Sequence, residues 1–194
     1  MPLHKNSPPF SFGRNVISAA LCKPPALGRK GREFLPLVCL LCWENDGVIG
    51  TPSPPYLILK VESLSQESYE NSGSVSRGVL LAQTQVHVEE EALRTDHPEP
   101  SLAMGTTPRA FLLCHEDVII VILRKQGLIY AYTFDSGELT LIGQTNVGQY
   151  VVDATVGAGE LKGEIELVLL LCNPLNTRDG RIAVCLLSRF GCVL

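Results

Sequence analysis

Two thiols three positions apart, in Cys39-Leu40-Leu41-Cys42, are the first residues of this chain whose type and spacing suggest chemistry. Such a C-x-x-C pair supplies half of a tetrahedral zinc site, or both sulfurs of a dithiol–disulfide couple. A structural zinc ion needs four ligands, and downstream there is neither a second C-x-x-C nor an H-x₃₋₅-H. A thioredoxin-type couple calls for a βαβ context and small or polar residues between the sulfurs, where two leucines stand instead. An apolar segment that contains two cysteines accounts for the pair more simply. A small zinc- or thiol-dependent protein centred on Cys39 and Cys42 is therefore the alternative reading.

The remaining candidates fare no better. Cys114-His115 places a nucleophile next to a base, but neighbours on a strand project to opposite faces. Glu164 and Glu166 share one strand face, as paired carboxylates do, and as the solvent side of a half-buried strand also does. Asp135 and Asp179 sit in glycine-containing turns, where Asp commonly bonds the backbone. No phosphate-binding, dinucleotide-binding, nucleophile-elbow or H-E-x-x-H motif occurs. Arg29-Lys30-Gly31-Arg32 offers three cations, too few to argue for more than solvated coil. The sequence thus assigns no catalytic, cofactor-binding or metal-ligating residue. The expectation is a non-enzyme that takes no small-molecule substrate.

Composition narrows the classes further. Of 194 residues, 45% are apolar and 19% charged, a globular balance. The formal charge of −4 carries no basic surface for phosphates, so no nucleic acid is expected as a partner. The seven cysteines are odd in number, most lie in apolar runs, and no Asn-x-Ser/Thr acceptor occurs. These features favour a reducing compartment, cytoplasm or nucleus. Residues 1–32 carry Lys5, Arg14, Lys23, Arg29, Lys30 and Arg32 without an acid, as mitochondrial presequences do. Pro8, Pro9, Pro24 and Pro25 break the amphipathic helix that such a leader needs. Phe34–Trp43 is very apolar but falls short of the ~20 helical residues that span a bilayer.

The elements that would position any site divide the chain in two. Twelve of the thirteen prolines lie at or before Pro108. Residues 1–105 read as a Pro/Ser-rich, mostly irregular arm with apolar islands at 34–43 and 56–61. Residues 63–76 read as solvated linker, Gly78–Val88 as a strand or two, and Glu89-Glu90-Glu91 as a solvated run. Residues 106–194 read differently, as about seven short antiparallel strands. Ala110–Cys114, Val118–Leu123, Leu128–Phe134 and Leu139–Thr145 form one meander, closed between its last two strands by Asp135-Ser136-Gly137. Gln149–Thr155, Ile165–Leu171 and Arg181–Leu187 form a second, with loops at 157–163 and 173–180. Gly127-Leu128-Ile129-Tyr130-Ala131 aligns with Gly180-Arg181-Ile182-Ala183-Val184, a period of about 50 residues.

A four-stranded antiparallel meander that repeats resembles the blades of β-propellers of the WD40-like kind, without their Gly-His and Trp-Asp dipeptides. Val156–Val168 is also similar to an FG-GAP blade loop, although Gly157, Gly159 and Lys162 stand where calcium would need oxygen ligands. The resemblance implies a mainly β fold of one and three-quarter blades over 106–194. Two blades cannot close a ring. The arm, another chain, or the rest of a larger parent must then supply more strands, and the ending Cys192-Val193-Leu194 reads as a cut within a blade. The expected role is that of an interaction or scaffold module among other protein subunits. Strand edges at Gln149–Thr155 and Arg181–Leu187 would be its docking sites.

Overall fold

Val118–Leu123 is a run of β-branched and leucine side chains with no polar residue, so as a strand it must be covered on both faces. In the computed structural model it is such a strand, and all six residues are buried. The structure describes residues 16–22, 37–44, 56–68, 74–86, 110–160, 164–173, 176–188 and 191–193. Among these the protein is all-β, with twelve strands in three antiparallel four-stranded sheets. The first sheet contains β1 (Val16–Cys22), β2 (Leu37–Glu44), β3 (Tyr56–Ser68) and β4 (Ser74–Val86). The second contains β5 (Ala110–His115), β6 (Val118–Leu123), β7 (Leu128–Asp135) and β8 (Glu138–Asn146). The third contains β9 (Tyr150–Ala158), β10 (Glu164–Asn173), β11 (Asn176–Ser188) and β12 (Gly191–Val193). In each sheet the strands pair in chain order, so each is a plain meander.

Period-two alternation then dictates how the sheets stack. Ile119, Val121 and Leu123 of β6 enter one core with Cys39, Leu41, Leu57, Leu59 and Val61 of the first sheet. Val118, Ile120 and Ile122 enter a second core with Ile165, Leu167, Leu169 and Leu171 of β10. The second sheet is the middle layer. The first strands of the meanders lie side by side, β1 against β5 and β5 against β9, and the last strands do likewise, β4 against β8 and β8 against β12. Two bonds fix the first of these contacts. The Leu112 amide donates to Ser18 Oγ at 3.0 Å, and Cys22 Sγ donates to the Glu116 carbonyl at 2.9 Å. Both span 94 residues, so β1 and β5 run in the same direction at a constant offset.

The turns follow local chemistry. Asp135 pairs with Glu138, and Ser136 and Gly137 between them have φ of 53° and 89°, the type I′ pattern that suits a two-residue hairpin. The β6–β7 turn is held to the third sheet by Arg124. Its Nη1 donates to the Val152 carbonyl and, at 3.4 Å, to that of Val151. Its guanidinium lies 4.3 Å from the centre of the Phe111 ring, and the Val151 amide returns a bond to the Arg124 carbonyl at 2.8 Å. Arg124→Ala is expected to cost about 2 kcal/mol, the range for charge-assisted bonds to backbone acceptors. Arg124→Lys should recover little of it, since an ammonium reproduces neither the fork nor the stacking. Urea unfolding of the three proteins checks both expectations.

The seven strands expected in 106–194 are present, and β12 joins them. The earlier apolar islands also become strands: 34–43 supplies β2, 56–61 opens β3 and 78–88 supplies most of β4. β1 joins them, so the first half contributes a complete meander to the same stack. Of the linker expected at 63–76, residues 63–68 belong to β3 and 74–76 to β4, and the β3–β4 ladder runs out to Ser68↔Ser74. The physical reason is that backbone pairing, once started at Leu57–Val61, continues through polar sequence. Similarly, Gly157 and Ala158 extend β9, and residues 176–180 belong to β11, where loops were expected. The cluster at 29–32, the prolines at 52–55, the acids at 89–91 and the expected boundary near 105 lie outside the described residues.

Candidate functional site

On β2 the two cysteines of the C-x-x-C pair are an odd number of positions apart, so they face opposite sides of the sheet. Cys39 points into the core between the first and second sheets, and Cys42 is buried without joining that core. The pair does not converge. What Cys39 meets instead comes from elsewhere in the chain. In the β1–β2 ladder Ala20 pairs with Cys39 and Cys22 with Leu37, which puts Cys22 and Cys39 diagonally on one face. Across the sheet interface Cys114 of β5 packs against the same core, on the face that Ala110 and Leu112 share. The thiols of Cys22, Cys39 and Cys114 hydrogen-bond one another, and none is in a disulfide.

These contacts divide the protons unevenly. S–H donation from Cys114, and then from Cys39, pulls Cys22 down to about 4 against the opposing effect of burial. The contact with Cys22 pushes Cys114 up to about 12. Cys39 is raised too, by its bonds to Cys114 and Cys22 and by burial. The Glu116 carbonyl at 2.9 Å works the other way, since it is satisfied only while Cys22 keeps its proton. Cys22 and Cys39 are fully buried, whereas Cys114 is partly exposed. Among the described residues, no group of three or more His, Cys, Asp or Glu side chains is arranged to hold a metal ion.

A second feature lies on the far side of the third sheet. Ile165, Leu167, Leu169 and Leu171 turn inward, and the alternate residues of β10 turn out. On that outer face Leu170 pairs with Ile182, Val168 with Val184 and Glu166 with Leu186. Leu170 is 42% exposed, Ile182 74%, Val184 49% and Leu186 42%. Four large apolar side chains on adjacent strands make a contiguous patch, which an isolated soluble surface seldom carries.

The other expected residues stay apart. Glu164 and Glu166 are half-buried in the alternating pattern of β10. Asp135 is exposed in its turn, accepting from Ser136 Oγ at 3.1 Å, and Asp179 lies 3.7 Å from Arg181. His115 follows Cys114 on β5 and falls on the opposite face. Of the two strand edges, β9 is an outer strand of its sheet, whereas β11 is paired with β12 at Leu186–Ser188. Spacing alone did not reveal the thiol cluster, because the offset between β1 and β5 is a property of the stack. The outer patch was legible in part, since β10 and β11 are apolar at successive positions. No protein-family model matches the chain, and no curated protein sequence does.

Proposed function

We propose that this protein is a non-enzymatic interaction module of the β-propeller kind, a scaffold element that works within a larger complex of protein subunits in the cytoplasm or nucleus. Three consecutive four-stranded meanders support the propeller reading, stacked with their first strands together and their last strands together. Closed rings need four to eight such units, so three leave an unclosed end. The observation that carries the functional reading is the apolar outer face of the third sheet, Leu170, Ile182, Val184 and Leu186. Both cores inside the chain are built from faces of this type, one sheet against the next. The occupant is accordingly the apolar face of a further antiparallel sheet, carried by a partner protein. The compartment is read from the sequence alone, from an odd number of cysteines that mostly lie in apolar runs.

A photo-crosslinking residue in place of Ile182, in the full chain expressed in cells, tests this directly. Crosslinks should land on the strands of one partner protein. The double variant Ile182→Lys/Val184→Lys should abolish the partner's co-purification while changing the chain's unfolding free energy by no more than about 0.5 kcal/mol, because both sites are exposed. Crosslinks scattered over many proteins, or confined to a second copy of the chain, would defeat the proposal.

A further inference from the structure

We infer that the edge of β11 from Arg181 to Val184 is an open strand slot, filled in the assembly by an extended segment of the partner protein that runs antiparallel to β11. The repeat between the second and third meanders carries this. Gly127–Ala131 aligns with Gly180–Val184, and the same offset sets Thr133, Phe134 and Asp135 against Leu186, Leu187 and Ser188. β8 pairs with β7 all the way from Asp135 back to Leu128. β12 pairs with β11 at Ser188, Leu187 and Leu186. β12 thus reproduces Glu138–Thr140 of β8, and the stretch equivalent to Gly143–Asn146 has no counterpart among the described residues. The first meander has its full fourth strand, since β4 pairs with β3 from Leu57 to Ser68.

Burial follows the pairing. On β7 Ile129, Tyr130 and Ala131 are buried, whereas on β11 Ile182 and Val184 are exposed and Ala183 is half-buried. The uncovered outer face accounts for Ile182 and Val184. It does not account for Ala183, which turns inward against the second core and stays accessible beside the open edge. Ala183 also stands where β7 carries Tyr130, so the slot has room for a large apolar side chain opposite it. An open edge offers backbone donors and acceptors at alternate residues, which an extended chain satisfies by adding a strand. The occupant is accordingly an extended segment with a large apolar residue facing Ala183. Its assignment to the partner that covers the outer face rests on the interaction reading above, because Ile182 and Val184 border both surfaces.

The probe is a synthetic peptide of residues 141–148, which contains the part of β8 that fills the equivalent place beside β7. Added in large excess to the full chain, it should slow amide exchange at alternate residues of Arg181–Val184. Two further peptides, N-methylated at alternate residues in the two possible phases, should differ. One keeps its affinity and the other loses about tenfold or more, since only one phase faces β11. Gln144, which pairs with Tyr130 in β8, would lie opposite Ala183. A Gln144→Phe peptide should bind about tenfold tighter, and Ala183→Tyr in the full chain should erase that gain. Ile182→Lys/Val184→Lys removes the apolar face but not the backbone edge, so the alternate protection should survive in it. The slot and the apolar face therefore fail separately. No protection at Arg181–Val184, equal losses with both N-methylated peptides, or loss of binding in the double Lys variant would overturn the inference.

Discussion

Ile119→Ala and Ile120→Ala, neighbours on one strand, are expected to loosen opposite ends of the molecule. Both side chains are fully buried at the centre of β6. Ile119 packs with Leu41, Leu57 and Leu59 of the first sheet, and Ile120 packs with Leu167 and Leu169 of the third. Truncation of a buried isoleucine removes its transfer free energy and leaves a cavity, at a cost of about 2–5 kcal/mol. A middle layer held between two sheets has little freedom to collapse into such a cavity, which places both variants toward the upper part of that range. Urea unfolding reads the size of the loss, and amide exchange reads its location. Ile119→Ala should lose protection chiefly in β2 and β3, and Ile120→Ala chiefly in β10 and β11. If both variants loosen the same strands, the middle sheet does not separate two cores.

That alternation was legible in the residues, because a continuous β-branched run such as Val118–Leu123 has to be covered on both faces. Asp135-Ser136-Gly137 was legible as a tight turn for an equally local reason, its tolerance of positive φ. The alignment of Gly127–Ala131 with Gly180–Val184 also matches the third strands of two meanders, β7 and β11. Its glycines differ in role, though: Gly127 turns with φ of 65°, while Gly180 sits inside β11 opposite Cys172. The first meander was harder to read. Its strands are separated by long polar and Pro-rich stretches, so no period survives, and pairs such as Leu41↔Leu59 are selected by burial rather than by a turn signal. The thiol cluster was out of reach for a related reason. Cys39-Leu40-Leu41-Cys42 points to a local pair, but strand geometry splits it and hands Cys39 to partners brought in by the stacking of sheets. The outer patch of β10 and β11 was visible as apolar sequence, yet only the stack shows which of their two faces is covered.

Gly127 joins these levels, and Gly127→Val is expected to be among the most damaging single substitutions in the chain. The residue closes the β6–β7 turn at φ of 65°, with its amide bonded to the Leu123 carbonyl at 3.0 Å and its carbonyl accepting from the Val147 amide at 2.9 Å. Left-handed backbone costs an L-residue about 1–2 kcal/mol, and a β-branched one is the least tolerant. Space is the larger obstacle. A Cβ here would lie 2.5 Å from the Gln149 carbonyl oxygen and 2.8 Å from Val147 Cγ2. The backbone leading from β8 into β9 would have to retreat, straining the Arg124 bonds that tie the middle sheet to the third. Strain and clash together should cost about 3 kcal/mol or more, a size that single substitutions reach only by a named mechanism of this kind. Gly137→Ala is the control. Its φ of 89° is also left-handed, but nothing lies within 4 Å of the added Cβ, so only the conformational cost of about 1–2 kcal/mol applies. Denaturant unfolding should therefore separate the two glycines clearly. Equal losses at both would mean that positive φ alone matters, and that the junction between the second and third sheets has room to yield.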